Sequence, residues 1–236
     1  MTETEKLFAA NEATWPAASQ RRVGGFVVRE GRGGGSRVSS ATAEPGWSPA
    51  DIDAAAAAMA EWGQPPLFMI RHGDEALDAA LAERGYGIGD RVVFYAAPIE
   101  AFGPPPEPMT AFPHWPPLAI AASIWADEGI GPGRLAVMQR AGNTRAAILG
   151  RSGDHPVGAA FVAVSGDIAA IHALAVRKEA RRAGAGRNIL RGAAAWAAAQ
   201  GASTLMLAVT EGNAPARALY DSHGMVAVEK YHYRVK

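Results

Sequence analysis

A short unit recurs in this chain at a constant offset of 139 positions, and few folds accommodate such an echo. Leu67–Ile70 (LFMI) is followed by Gly73-Asp74, the helical run Glu75–Arg84, Gly85 and a strand, Arg91–Ala96. Met206–Val209 (MLAV) is followed by Gly212-Asn213, a helix, Gly224 and then Val226–Val235, one or two further strands. Three positions of the aligned core are identical (Gly73/Gly212, Ala79/Ala218, Gly85/Gly224), so the shared order carries the signal: strand, cap, helix, glycine, strand. Phe102–Pro117 holds seven prolines and little periodicity, and reads as a connector. The expectation is an α/β protein of two related units: residues 1–101, a linker at 102–117, and residues 118–236.

The second unit is the more legible. Thr144–Arg151 reads as a strand, and Pro156–Ser165 and Asp167–Val176 as a hairpin around Ser165-Gly166. A helix is expected from about Arg182 to Gln200, with Ile189, Ala193, Trp196 and Ala197 on one face and Gly201 at its end. Leu205–Val209 is a short buried strand. The next helix, Asn213 to His223, has Asn213 as N-cap and Pro215 in its first turn.

Composition removes several chemistries. Lys+Arg and Asp+Glu are 23 each, so no overall field favours nucleic acid or an anionic membrane, and an anionic ligand must be caught locally. With no cysteine there is no disulfide, thiolate ligand or Cys nucleophile, and the six histidines show no paired metal-ligand spacing. The uncharged stretches Pro108–Ala126 and Gly192–Thr210 are broken by prolines or by Gln200, Gly201 and Ser203, so no membrane span is expected. The N-terminus lacks the basic and apolar regions of a signal peptide, and a cytoplasmic protein is expected.

The richest stretch chemically is Ala173–Arg191, ALAVRKEARRAGAGRNILR. An apolar strand ends at Val176, and Arg181-Arg182-Ala183-Gly184-Ala185-Gly186 opens a helix. Glycines at such a junction let backbone N–H groups converge without interference from Cβ, and the helix start adds about half a positive charge. Together they form a phosphate cradle, with Arg181, Arg182 and Arg187 as further donors. The spacing is not that of a P-loop, because Arg187-Asn188 follow Gly186, nor that of a dinucleotide turn, because position 189 is Ile. An isolated G-x-G would be a tight turn with a solvated arginine face. Here it follows a long hairpin and precedes a second strand–helix unit.

LAVRKEARRAGAGRNIL resembles the coenzyme-A-binding motif of the GNAT acetyltransferases, R/Q-x-x-G-x-G/A, through Arg181, Gly184 and Gly186. LMLAVTEGNAPARALYDSHGM resembles that family's next motif, in the same order and at the same spacing. The resemblance covers residues 144–236 closely. The first half is similar only as the degenerate echo, like tandem GNAT proteins in which one copy has lost its site. It implies mixed, mostly antiparallel sheets flanked by helices, with acetyl-coenzyme A as cosubstrate and no metal. The backbone of Leu174, Ala175 and Val176 would pair with the pantetheine arm. The N–H groups from Arg182 through Ala183, Gly184, Ala185 and Gly186 to Arg187 would hold the pyrophosphate. Asn213 would contact the arm or cap its helix.

Tyr220, nearly two turns after Asn213 on the same face, is the implied general acid for the departing thiolate; the plainer reading is a core tyrosine. In a regular strand His172 shares a face with Leu174 and Val176. IHALAV resembles the strand of arylalkylamine acetyltransferases, where a histidine deprotonates the amine through water; the alternative is a buried structural histidine. In the first half, Leu81 and Asp74 stand where Tyr220 and Asn213 stand in the second. Ser48–Gly63 has neither a glycine pair nor an arginine cluster. That half is expected to complete the fold and wall the acceptor pocket. Gly31–Gly35 (GRGGG) reads as a flexible hairpin turn between strands Phe26–Arg29 and Ser36–Ser40. The resulting expectation is an N-acetyltransferase acting by direct transfer on a small-molecule or peptide amine. Its rival is a non-catalytic acyl-coenzyme A sensor, against which the retention of Tyr220 argues.

Overall fold

The computed structural model describes residues 1–236. The first half runs α1 (Glu3–Thr14), β1 (Ser19–Val23), β2 (Phe26–Glu30), β3 (Thr42–Ala43), α2 (Pro49–Glu61), β4 (Leu67–Ile70), α3 (Glu75–Glu83) and β5 (Gly87–Pro98). The second runs β6 (Ala111–His114), α4 (Ala119–Asp127), α5 (Pro132–Arg140), β7 (Arg145–Ser152), β8 (His155–Ser165) and β9 (Ile168–Val176). It ends with α6 (Ala185–Ala199), β10 (Thr204–Thr210), α7 (Ala214–Asp221) and β11 (Val226–Val235). β1–β2–β3 form a small sheet, and the rest one eight-stranded sheet in the order β4-β11-β5-β10-β9-β8-β7-β6. Within it only β9 and β10 run parallel.

The echo is a structural repeat: β4, α3 and β5 each lie 139 positions before β10, α7 and β11. The halves do not keep their strands to themselves, however. β5 inserts between β10 and β11, and β11 inserts between β5 and β4. The register of this exchange is nearly two-fold symmetric. Leu207 faces Tyr95 on one side and Phe68 faces Arg234 on the other, each residue 139 positions from its counterpart. Val92 and Tyr231 are counterparts that face each other, so the local dyad passes between them. Even the bulges match, with an extra residue at Val228 on β11 and at Gly89–Asp90 on β5.

Two readings from sequence are corrected. The proline-rich stretch is not only a connector, because Ala111–His114 pairs with β7 as the sheet's outermost strand; proline is tolerated there, on an edge. Ser36–Ser40 is not a strand: Ser36–Val38 is a 3₁₀ turn. The glycines before it serve close packing rather than a hairpin. A Cβ on Gly34 would lie 2.5 Å from Val137 Cγ2, and one on Gly133 would collide with the Gly33 carbonyl. The run therefore lies flat against α5 and delivers Arg37 to β9.

Helix α6 sits equally close to its sheet. A Cβ on Gly150 or Gly158 would come within 2.6 or 2.7 Å of Ile189, which nests over both glycines. Ile189, Leu190, Ala193 and Ala197 of α6 bury against Ile148, Ala160, Val162, Ile171, Leu205 and Leu207. On the opposite face α4 and α5 pack Trp125, Ile124, Val137 and Met138 onto Leu149, Ala159 and Phe161. No helix is long and apolar enough to cross a membrane.

Candidate active site

The site begins where two strands part. β9 and β10 pair from Ile168/Thr204 to Ile171/Leu207 and no further, although they run on to Val176 and Thr210. The cause is a bulge in β9. His172 faces Phe161 and Ala175 faces Ala159, which leaves Ala173 and Leu174 both opposite Ala160. Ala173 takes the left-handed conformation (φ +53°), and the buried Trp125 donates from Nε1 to its carbonyl at 2.8 Å. An extra residue reverses every later side chain. Leu174 and Val176 thus pack on the α6 side with Ile171, whereas His172, Ala173 and Ala175 face the other way. The expected shared face of His172, Leu174 and Val176 does not exist.

Beyond Val176 the chain turns into α6 through two left-handed residues, Arg182 (φ +63°) and Gly184 (φ +87°), the latter as N-cap. No side chain caps this helix, so its first N–H groups are left without a side-chain partner beside the cleft. Arg181 braces the turn, donating from Nε to the Val176 carbonyl (2.9 Å) and from NH2 to Glu128 (2.5 Å). A Cβ on Gly186 would lie 3.0 Å from Leu219 Cδ2, so this glycine also lets α6 and α7 approach each other. The resulting cleft of about 890 Å³ is lined by Leu174, Ala175, Val176, Arg181, Arg182, Gly184, Gly186, Arg187, Asn213 and Tyr220. Ala185 is buried in the first turn beneath it.

The first half shows the same position without a cradle. Its parallel contact Ala41/Phe68 matches Ile171/Leu207, Phe68 being 139 positions before Leu207. The helix that follows, α2, carries Asp51 in its first turn, whose carboxylate accepts from Ser48 N (2.7 Å) and Oγ (2.9 Å). A negative charge already occupies the place where the second half leaves room for an anion.

A second pocket, of about 330 Å³, adjoins the cleft. The two share Ile130, Arg134, Leu174, Asn213 and Tyr220. Asn213 caps α7, its Oδ1 accepting from Ala216 N at 3.2 Å, which leaves its amide N–H₂ to donate elsewhere. Tyr220 is buried against Tyr95, and burial pushes its phenol up to about 12. Of the remaining walls, the first half supplies Trp15, Gly34–Arg37, Asp90 and Val92, and the second supplies Ile171–Ala173 of β9, Leu207–Thr210 of β10, and Tyr231 and Tyr233 of β11.

His172 also lines this pocket, between Trp15 and Phe161, with both ring nitrogens engaged. Arg37 NH1 lies 2.8 Å from Nδ1 and Thr14 Oγ1 2.9 Å from Nε2. A guanidinium only donates, so Nδ1 accepts, and Nε2–H donates to Thr14, whose hydroxyl donates to the Ala10 carbonyl at 2.7 Å. Burial and the Arg37 charge hold His172 well below the usual histidine range.

Sequence reasoning missed Arg37, Asp90, Arg134 and Tyr233. Arg37 had one faint signal, a cation two positions after a glycine run; the others lie on elements whose neighbours belong to the other half. Among the tryptophans, Trp15 lines the pocket, Trp125 supports the bulge, and Trp47, Trp62 and Trp115 pack elsewhere.

Known proteins share this architecture. An uncharacterised N-acetyltransferase of Bacillus subtilis (YobR) is 24% identical, covering 100% of both chains. The structure of a GCN5-related N-acetyltransferase from Kribbella flavida, 20% identical, superposes with a TM-score of 0.76, covering 100% of this chain and 96% of that one. A tandem GNAT protein from the clavulanic acid biosynthesis pathway, 14% identical, gives 0.63, covering 89% and 77%. At these identities the structures establish the fold alone. The model of the acetyltransferase (GNAT) family, however, matches residues 108–225, half of the chain, from the edge strand through the splayed pair and cradle to the end of α7. By that match the chain belongs to the GNAT acetyltransferase family.

Proposed function

We propose that this protein transfers an acetyl group from acetyl-coenzyme A to a primary amine, with the donor in the cleft under α6 and the acceptor in the adjoining pocket. One observation carries the reading: cradle, strand opening and buried phenol converge where cleft and pocket meet, at Leu174, Asn213 and Tyr220. The uncapped N–H groups of Arg182–Arg187 fit a pyrophosphate, and the freed edge of β9 at Leu174–Val176 fits an amide-bearing arm. A backbone N–H there would polarise the thioester carbonyl. In the direct transfer a C–N bond forms and the C–S bond breaks, the amine gives up one proton to water, and Tyr220 supplies one to the sulfur and recovers it from solvent.

His172 has no part as base in this scheme, because its accepting nitrogen is held by Arg37. We assign it to positioning that arginine. Release of free thiol from acetyl-coenzyme A across a panel of amines tests the proposal. Amine-dependent release is expected. Tight binding of acetyl-coenzyme A with no release for any amine would favour the sensor reading instead.

A further inference from the structure

The acceptor pocket carries an unbalanced charge. Its charged residues are Arg37, Arg134 and Asp90, and none takes part in a salt bridge. Arg37 is held in place, with NH1 on His172 and its guanidinium carbon 5.9 Å from the Trp15 ring centre. Its Nε is buried with no partner at all. A buried charged donor left unsatisfied is costly, and a folded chain retains one where something else completes it. Arg134 flanks the same loop, close to Gly35, at the junction of pocket and cleft. Asp90 is exposed, on the bulge of β5.

A plain alkylammonium entering here meets two cations and one exposed carboxylate. Resting on the transferase reading above, we propose that the acceptor is a small amine bearing a second, anionic group, a carboxylate or phosphate, which Arg37 binds with help from Arg134 while the amine reaches Leu174 and Tyr220. Arg37 presents donors in a fixed fork that matches either anion. The volume, about 330 Å³, lies at the small end of ligand pockets and suits a molecule of amino-acid size. The chain Ala10–Thr14–His172–Arg37 is then a brace for a specificity residue.

Matched pairs test this: n-butylamine against 4-aminobutyrate, and ethanolamine against O-phosphoethanolamine, by thiol release. For at least one pair the anionic member should have kcat/KM about tenfold higher or more, and which pair responds tells carboxylate from phosphate. Arg37→Met should collapse that ratio toward one, and Arg37→Lys should restore part of it. Calorimetric titration of the same amines with coenzyme A present reads the preference without turnover. Preferential binding through Arg37 with no thiol release would uphold the pocket assignment and overturn the transferase reading. Equal binding and turnover of both members by the wild-type protein would overturn the anion proposal and leave transfer standing. Should Arg37→Met fail to fold, butyrate and inorganic phosphate as competitors of the wild-type protein decide the matter, competition by neither counting against it.

Discussion

Tyr220 lines both the cleft and the adjoining pocket, and its ring packs inside the core against Tyr95. Burial disfavours the phenolate, so the group keeps its proton up to about 12 and remains an acid throughout the range in which an amine becomes free. Tyr220→Phe preserves the ring and its contacts. Affinity for acetyl-coenzyme A should stay within a few fold while kcat falls by about 10²–10⁴, the usual loss without acid assistance. Near wild-type turnover would make Tyr220 a packing residue. His172 yields a prediction of the opposite sign. Its buried ring is neutral, flanked by Arg37, Thr14, Trp15 and Phe161, and its native pKa lies below the unfolded value. Stability from this group is full above about pH 6.5 and is lost as pH falls toward the native pKa, with a slope of at most about 1.4 kcal/mol per pH unit. His172→Gln should flatten the acid limb of a melting-temperature profile. An unchanged limb would place the acid sensitivity on other groups.

At the scale of elements, the cradle is aimed by α6, and α6 is set by glycines beneath it. Gly150→Ala would push a Cβ into Ile189 Cδ1, at 2.6 Å before relaxation, and should cost about 1–3 kcal/mol in denaturant unfolding. It should also weaken acetyl-coenzyme A binding, although Gly150 lies outside the cleft. Combined with Ile189→Ala it should lose less than the two single variants together, because the clash is gone. Strict additivity would mean that the glycine matters for some other reason. These elements were legible in sequence because turns and caps are local: the glycines at positions 73, 85 and 224 all adopt positive φ, and Asn213 caps its helix. The bulge in β9 was not legible. Nothing in IHALAV marks Ala173 as left-handed; that conformation is supported by Trp125, 48 positions away, and strict alternation therefore put His172 on the wrong face. Ser36–Ser40 failed similarly, since its 3₁₀ turn depends on packing against α5.

The whole molecule is less divisible than its duplication implies. The offset of 139 is visible in sequence, but pairing across halves leaves no periodic trace, and so the exchange of β5 and β11 had to be seen. One core cluster joins Leu7, Ala10, Val92 and Phe94 to Ala170, Met206, Tyr231 and Tyr233. Asp78 binds both His232 (2.8 Å) and Arg234 (2.7 Å), while Arg217 donates to the Tyr95 hydroxyl at 3.2 Å. A chain beginning at residue 102 would keep every residue of the cradle yet leave β10 with a bare edge and β11 with no partner. It would also lose Trp15 and Arg37 from the adjoining pocket. The full chain should therefore unfold in one cooperative transition, with calorimetric and van't Hoff enthalpies in agreement. The 102–236 fragment should not bind acetyl-coenzyme A by itself, and co-expression with residues 1–101 should restore binding. Two resolved transitions, or a lone fragment with the full chain's affinity, would show that the shared sheet is dispensable and that the second half folds as an independent domain.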